Sequence, residues 1–186
     1  MSGARSFPDL SGLTLVLGGM RSGKSRYAEG LLEAAPFAPV YIATARPLDA
    51  EMQARIAAHR ARRGPRWRTV EEPVALPQAI AREAQDGRAV LVDCLTLWLT
   101  NLLVEARDPE AAFRALERAL DAAACPVVLV SNEVGWGIVP AEALARRFID
   151  LAGELHQRIA QRADRVILMV AGRALLLEGG EGPCTC

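Results

Sequence analysis

Short apolar runs alternate with segments of helical periodicity along most of the chain. Five of the runs are bounded and rich in β-branched residues, which predicts buried strands. They cover residues 13–17, 40–43, 89–92, 127–130 and 166–170. Because continuous apolar strands that alternate with helices are typical of a parallel sheet covered on both faces, the pattern predicts an α/β fold.

The intervening segments carry helical stripes of apolar residues. Asp108 and Pro109 form an N-cap and first-turn pair before one stripe, and residues 95–104 (LTLWLTNLLV) are apolar nearly all round, as in a helix buried under a sheet. The two clearest stripes are Phe113, Leu116 and Leu120, and then Leu144, Phe148, Leu151, Leu155 and Ile159. We therefore expect a single catalytic domain over residues 13–177, an N-terminal extension over 1–12 and a flexible tail over 178–186.

Composition and charge limit the kinds of partner that the chain is expected to bind. The chain has 186 residues, and its 22 basic and 22 acidic side chains cancel, so the overall charge does not favour nucleic acid or a membrane surface. It has neither a signal-peptide pattern nor a run of eighteen apolar residues, which predicts a cytoplasmic protein. Cys94 and Cys125 are predicted to be core thiols, and the Cys184 and Cys186 pair of the tail is given no role.

The stretch GGMRSGKS, at residues 18–25, fits the P-loop pattern G-x4-G-K-[ST]. It follows the first predicted strand and opens a helix, which is the context that this pattern requires. Backbone N–H groups of such a loop surround phosphate oxygens, Lys24 neutralises the β/γ charge, and the Ser25 hydroxyl can bind Mg²⁺. The predicted phosphate-binding residues are Gly18, Gly19, Met20, Arg21, Ser22, Gly23, Lys24 and Ser25.

Asp93 ends the third apolar run, in VLVD. A P-loop protein keeps its metal-binding acid at such a position, so Asp93 is either a second magnesium ligand or a solvated loop aspartate.

The guanine-specificity pattern N-K-x-D is missing, and Ser131-Asn132-Glu133 does not replace it. The sequence therefore argues against a Ras-like signalling GTPase.

Residues 50–72 form a second informative stretch. Asp49 can cap a helix in which Arg55, His59, Arg62 and Arg63 share one face, with Arg60 beside it. This surface is either a solvated charged face with an inert histidine or a nucleophilic site. In the second case a neutral imidazole attacks phosphorus to give a phosphoramidate, and the arginines stabilise the departing pyrophosphate. The other histidine, His156, lies at the edge of an apolar stripe and is interpreted as structural.

Several motifs in the same order carry a family resemblance. They are GGMRSGKSRYAE, VYIATA followed by D-A-E-M-x-x-R-I-x-x-H-R, WRTVEEP, LVDCLTLWLTNLL and SNEVGWGIVPAEALARRFIDLAGELHQRIA. Together they resemble the bifunctional adenosylcobinamide kinase/adenosylcobinamide-phosphate guanylyltransferase of cobalamin biosynthesis, from about Leu13 to about Gly172. The resemblance implies a P-loop α/β fold and a homo-oligomer, since the family includes trimers.

The resemblance implies two reactions. A nucleoside triphosphate, ATP or GTP, first phosphorylates the aminopropanol hydroxyl of adenosylcobinamide. GMP from GTP is then attached to that phosphate through a histidine, which gives adenosylcobinamide-GDP and pyrophosphate. The motif R-I-x-x-H places the covalent role on His59, and Ala58 stands where some relatives have a second histidine. The remaining residues that the resemblance assigns to the guanine nucleotide site are Ala43, Thr44, Ala45, Arg60, Ala61, Arg62, Arg63, Glu71 and Asp93.

The loop NEVGWGIVP lies beyond the end of a predicted strand, where α/β proteins bind ligands. Asn132, Glu133 and Trp136 therefore either meet the corrinoid or the reacting hydroxyl, or belong to a glycine-rich loop that packs Trp136 and Ile138 onto the core. Two other functions stay open at this point. One is a single-activity P-loop kinase in which His59 is a bystander, and the other is a nucleotide-gated binding protein whose arginine-rich helix docks an acidic partner.

Overall fold

The computed structural model describes residues 10–47 and 50–177, and for residues 51, 52, 55, 56 and 59 it describes the backbone alone. Most of the predicted N-terminal extension, Asp49, and the tail with Cys184 and Cys186 lie outside the described residues. So do the side chains of Arg55 and His59. The elements are β1 (Leu13–Gly18), α1 (Lys24–Ala34), β2 (Ala38–Ala43), α2 (Ala50–Arg62), β3 (Arg68–Glu71), α3 (Leu76–Glu83), β4 (Arg88–Asp93), α4 (Leu95–Val104), α5 (Pro109–Asp121), β5 (Val127–Val130), α6 (Ala143–Ala160), β6 (Arg165–Val170) and β7 (Arg173–Leu177).

The strands form one seven-stranded sheet in the order β3-β2-β4-β5-β1-β6-β7. Six strands are parallel, and β7 pairs antiparallel with β6 at one edge. The mostly parallel sheet confirms the predicted α/β architecture, and all five predicted strands are present. Strands β3 and β7 and helix α3 are additions to the prediction. Because β3 is short and half-exposed and β7 is exposed throughout, neither has the continuous apolar run of a buried strand.

Side chains alternate between the two faces of the sheet and build a core on each. On one face Leu15, Val92 and Leu129 pack with residues of α3, α4, α5 and α6. On the other face Val16, Leu91 and Val128 pack with residues of α1. Helices therefore cover both faces, as the continuous apolar strands predicted.

Helix α5 begins as predicted. The Asp108 carboxylate accepts a hydrogen bond from the backbone N–H of Glu110 at 3.0 Å, with Pro109 in the first turn. Arg158 of α6 then ties the two helices together through Glu117 at 2.8 Å and Glu110 at 2.6 Å. These contacts fix the position of α6 over the sheet.

Helix α4 is buried in the core, as its apolar composition predicted. Trp98 is fully buried, its indole N–H donates to the Val74 carbonyl at 2.8 Å, and its ring lies 6.2 Å from that of Phe113. No helix within the described ranges has both the length and the apolar character needed to cross a bilayer.

Replacing Trp98 with alanine tests the contribution of this packing. We expect Trp98→Ala to lower the free energy of unfolding by about 3–5 kcal/mol, because it leaves a cavity and an unpaired buried carbonyl. Urea denaturation followed by circular dichroism measures the change. Trp136→Ala is the matched control, since that indole is 74% exposed, and an equal loss in both variants would contradict the assignment.

Candidate nucleotide site

The phosphate-binding loop leaves the sheet where β1 ends. Gly18 has a φ of 148°, and a Cβ on it would lie 2.4 Å from the carbonyl oxygen of Met169. Gly23 has a φ of 97° at the last position before α1. Both positions therefore need glycine. Ser22 lies between them, buried, and among the described residues its hydroxyl has no hydrogen-bond partner. The loop thus holds the glycines and a buried polar oxygen that a phosphate cradle needs.

Helix α1 opens with Lys24, as the motif predicted. Its first turn has no acidic residue and no side-chain cap, which leaves its N-terminal N–H groups directed at the loop. The Lys24 ammonium is buried and donates to the Gly19 carbonyl at 2.7 Å. Burial lowers the pKa of Lys24, and the neighbouring Cys94 and Asp93 oppose that shift. A desolvated cation therefore stands inside the loop.

Lys24 is also the sole lysine of the chain, since every other basic side chain is an arginine or a histidine. A chain that otherwise relies on arginine keeps its one compact ammonium charge at the phosphate loop.

Three predicted site residues lie in one row across the sheet. Glu71 of β3 pairs with Ala43 of β2, and Ala43 pairs with Asp93 of β4. Because these strands are parallel, the row lies at their carboxyl ends, where α/β sheets bind ligands. The Asp93 carboxylate accepts a hydrogen bond from the Tyr41 hydroxyl at 3.1 Å, which holds its direction. Burial raises the pKa of Tyr41 and the Asp93 charge raises it further, so the phenol stays a donor.

Thr44 fixes the end of β4 rather than offering its hydroxyl to a ligand. Its Oγ1 donates to the Cys94 carbonyl at 2.8 Å and accepts the Cys94 N–H at 2.8 Å. Its own carbonyl accepts from the Asn101 amide at 2.8 Å, and Asn101 also donates to the Pro73 carbonyl at 2.9 Å. The segment from Ala43 to Ala45 therefore lies against the strand end that presents Asp93.

The end of α2 contacts the phosphate-loop helix. Arg62 and Arg63 approach the two carboxylate oxygens of the buried Glu29 at 3.4 and 3.7 Å. The Arg63 guanidinium also stacks on the Tyr41 ring, 3.6 Å from its centroid, and its side chain is 5% exposed. Burial raises the pKa of Glu29, and the two arginines oppose this. Arg63 is thus covered, which contradicts a wholly solvated cationic face, whereas Arg60 and Ala61 are exposed.

In the loop after β5, Val134 packs against the core, but Trp136 and Ile138 do not. Trp136 is 74% and Ile138 is 96% exposed, so the packing alternative is wrong. Asn132 turns inward and donates to the Thr96 hydroxyl at 2.9 Å.

The predicted structural histidine, His156, is buried and forms a hydrogen bond with Ser131 at 2.7 Å. Burial lowers the pKa of His156 and the Glu133 carboxylate opposes this.

Sequence reasoning missed Glu29, Tyr41 and Asn101. For two of them, the sequence has a polar residue at a position that the pattern predicts to be buried. Glu29 falls on the apolar face of α1, beside Ala28 and Leu32, and Asn101 interrupts an apolar helix. A polar residue at a buried position needs a partner, and both have one here. Tyr41 carried no signal, because an aromatic residue is ordinary in a buried strand.

The donor set suits magnesium. Ser25 in the first turn of α1 supplies a hydroxyl oxygen and Asp93 supplies a carboxylate, and Mg²⁺ prefers such oxygen ligands together with phosphate oxygens. The buried Ser22 hydroxyl of the same loop, unpaired among the described residues, is a further polar atom that a bound phosphate would satisfy.

The chain is similar to known proteins over most of its length. The chain is 52% identical to the bifunctional adenosylcobalamin biosynthesis protein CobP of Pseudomonas aeruginosa over 168 residues, which are 89% of this chain and 96% of the relative. It is 46% identical to the bifunctional adenosylcobalamin biosynthesis protein CobU of Salmonella typhimurium over 175 residues, 86% and 96% of the two chains.

A solved structure of an ATPase domain has the same fold, with a TM-score of 0.50 at 10% identity, over 87% of this chain and 70% of that one. It supports the predicted P-loop α/β fold alone. Residues 14–177 match the family described as cobinamide kinase / cobinamide phosphate guanyltransferase, and the chain therefore belongs to that family.

Proposed function

We propose that this chain phosphorylates the aminopropanol hydroxyl of adenosylcobinamide and then transfers GMP from GTP to that phosphate through His59. Family membership supports the two activities. The observation that carries the histidine step is the anchoring of α2 on α1: Arg62 and Arg63 contact Glu29, a little over one helical turn beyond Lys24. The helix that bears His59 therefore ends against α1, the helix that follows the phosphate loop.

The first reaction needs a cradle for a triphosphate and charge compensation at its γ-phosphoryl group. The N–H groups of the loop and of the α1 N-terminus bind phosphate oxygens, and Lys24 neutralises charge as the phosphoryl group leaves. Ser25 and Asp93 would hold Mg²⁺, which when bound supplies further positive charge at the phosphates. Either ATP or GTP fits this cradle, since the loop contacts phosphate rather than base.

The second reaction forms a bond between the His59 imidazole and the α-phosphorus of GTP, and pyrophosphate leaves. An oxygen of adenosylcobinamide phosphate then attacks that phosphorus, the P–N bond breaks, and adenosylcobinamide-GDP forms. Arg60 to Arg63 and Glu71 are proposed to contact the guanine nucleotide, with Ala43 to Ala45 lining the site. Arg63 is stacked on Tyr41, whose hydroxyl donates to Asp93.

The proposed setting is the cytoplasm, and the proposed assembly is a homo-oligomer, with a trimer as the form that the family resemblance favours. Two exposed apolar surfaces support an assembly. One is at the loop after β5 and the start of α6, with Ile138, Val139 and Leu144, and the other is on β7, with Leu175 and Leu176.

Removing the Lys24 charge tests the shared cradle. We expect Lys24→Ala to lower both reaction rates by about a hundredfold or more, because each transition state gathers negative charge at the loop. Transfer of label from γ-labelled ATP and from α-labelled GTP measures the two reactions. Arg26→Ala is the matched control, since it removes an exposed positive charge from the same turn of α1. Equal losses in both variants would contradict a specific role for Lys24.

Covalent labelling tests the histidine step. We expect α-labelled GTP to leave acid-labile, base-stable label on the wild-type chain and none on His59→Asn, because a phosphoramidate hydrolyses in acid. The chain has two histidines, so peptide mapping by mass spectrometry distinguishes His59 from His156. Hydroxyl phosphorylation should persist in His59→Asn. Full product formation without any adduct would instead favour direct transfer, and no guanylyl transfer at all would favour a single-activity kinase.

Light scattering after size-exclusion chromatography tests the assembly. We expect a mass above that of one 20.0 kDa chain, because exposed apolar surface favours association. Leu175→Glu and Ile138→Glu place a charge on each surface in turn, and the one that dissociates the assembly identifies the interface. A monomeric wild-type chain over a wide concentration range would contradict the proposal.

A further inference from the structure

A cavity of about 350 Å³ lies between α6 and the loop that follows β5. Its walls include Glu133 and Gly135 from the loop, and Asp150, Gly153, Glu154 and His156 from α6. The proposed nucleotide contacts lie elsewhere, so the cavity has no role in the chemistry described above. A pocket of this size admits one arm of a large substrate, and its carboxylates can accept hydrogen bonds from amide N–H groups.

The cavity adjoins the phosphate loop. The backbone N–H of Glu133 donates to the Gly18 carbonyl at 3.0 Å, so Glu133 follows β5 directly beside the first glycine of the loop. Two residues earlier on each strand, the Ser131 N–H donates to the Val16 carbonyl at 3.0 Å. These bonds continue the parallel β1–β5 pairing to the carboxyl edge of the sheet, where ligands of α/β proteins bind.

The Glu133 carboxylate is held in one orientation. Its Oε1 accepts the Gly135 N–H at 2.7 Å, and its Oε2 lies 3.9 Å from Nδ1 of His156. The side chain is 20% exposed. His156 is in turn held by Ser131 through its other ring nitrogen at 2.7 Å. The carboxylate is thus oriented at the pocket wall by the Gly135 N–H, and the His156 imidazole lies beside its other oxygen.

Gly153 lies in the wall of the pocket. It lies in the interior of α6, where glycine destabilises a helix relative to alanine. A Cβ there would meet no atom of the described residues within 4 Å, so close packing does not require the glycine. The space above it belongs to the cavity, so a large side chain at this position would occupy the volume that a ligand needs.

We propose that this cavity is the acceptor pocket of the kinase reaction, that it receives the aminopropanol arm of adenosylcobinamide, and that Glu133 accepts the proton of the reacting hydroxyl. The inference rests on the proposed kinase activity. The hydroxyl oxygen bonds to the γ-phosphorus, the bond from that phosphorus to the β–γ bridging oxygen breaks, and the nucleoside diphosphate leaves. The hydroxyl proton passes to the Glu133 carboxylate and then to solvent. The exposed Trp136 of the same loop offers apolar surface to the part of the corrinoid that stays outside the cavity.

Glu133→Gln tests the proton acceptor, because it keeps the shape and removes the basic oxygen. We expect kcat for adenosylcobinamide phosphorylation to fall by about 10²–10⁴-fold, with the KM for ATP unchanged and histidine labelling by α-labelled GTP retained. Glu142→Gln is the control, since that carboxylate is exposed at the start of α6 and outside the pocket. An unchanged kcat, or equal loss of both reactions, overturns the assignment.

Gly153→Leu tests the pocket without touching the carboxylate, and the open space above Gly153 lets the variant fold. We expect the KM for adenosylcobinamide to rise roughly tenfold or more, with the KM for ATP and histidine labelling unchanged. Gly153→Ala, which fills little of the cavity, should retain the wild-type KM. An unchanged KM in Gly153→Leu overturns the pocket. Failure of the proposed function itself looks different, since wild-type enzyme would then phosphorylate no adenosylcobinamide, which also overturns the acceptor pocket.

Discussion

Gly18 lies where β1, β6 and the loop after β5 meet, and the absence of a side chain there lets all three approach. A Cβ at this position would collide with the Met169 carbonyl of β6, while the Gly18 carbonyl accepts the Glu133 N–H from the other side. The phosphate loop can therefore turn away from the sheet without losing contact with either neighbour. The positions of Lys24 and Glu133 both follow from this close approach.

Two different structural features lie on either side of the phosphate loop. On one side α2 ends against α1 through Arg62, Arg63 and the buried Glu29. On the other side β5 leads into the loop of Glu133 and the cavity under α6. A single phosphate cradle with two flanks suits an enzyme family with two transfers, because a nucleoside triphosphate bound in the cradle has space for one acceptor on each side. An isolated histidine or an isolated pocket would not need this arrangement.

The sequence predicted those parts of the fold that depend on local pattern. Strands β1, β2, β4, β5 and β6 had continuous apolar runs, and the P-loop had a spacing that only one local geometry explains. Strand β3 has the sequence RTVE, which carries no such run, and it pairs with β2 across the intervening helix α2. Tertiary pairing rather than propensity made it a strand.

The candidate site was predictable in the same way, because residues in a local motif could be predicted and their distant contacts could not. The spacing of the motif predicted Lys24 and Ser25, and the place of Asp93 at the end of an apolar run predicted its role as a metal ligand. The partners that orient them were not encoded in this way: Tyr41 holds Asp93 from the neighbouring strand, and Thr44 holds Cys94 across the same strand pair. Such contacts arise only when the sheet brings distant segments together, so a single sequence does not reveal them.

The position of β1 in the sheet has a consequence for biosynthesis of the chain. Leu15 pairs with Leu129 on one side and Val166 on the other, so the strand that carries the phosphate loop gains its neighbours from the last third of the polypeptide. A nascent chain emerging from the ribosome cannot complete the centre of its sheet until those segments have been translated. The loop is therefore synthesised before the strands that support it, and a chain that ends before β6 has β1 as an edge strand, paired with β5 alone.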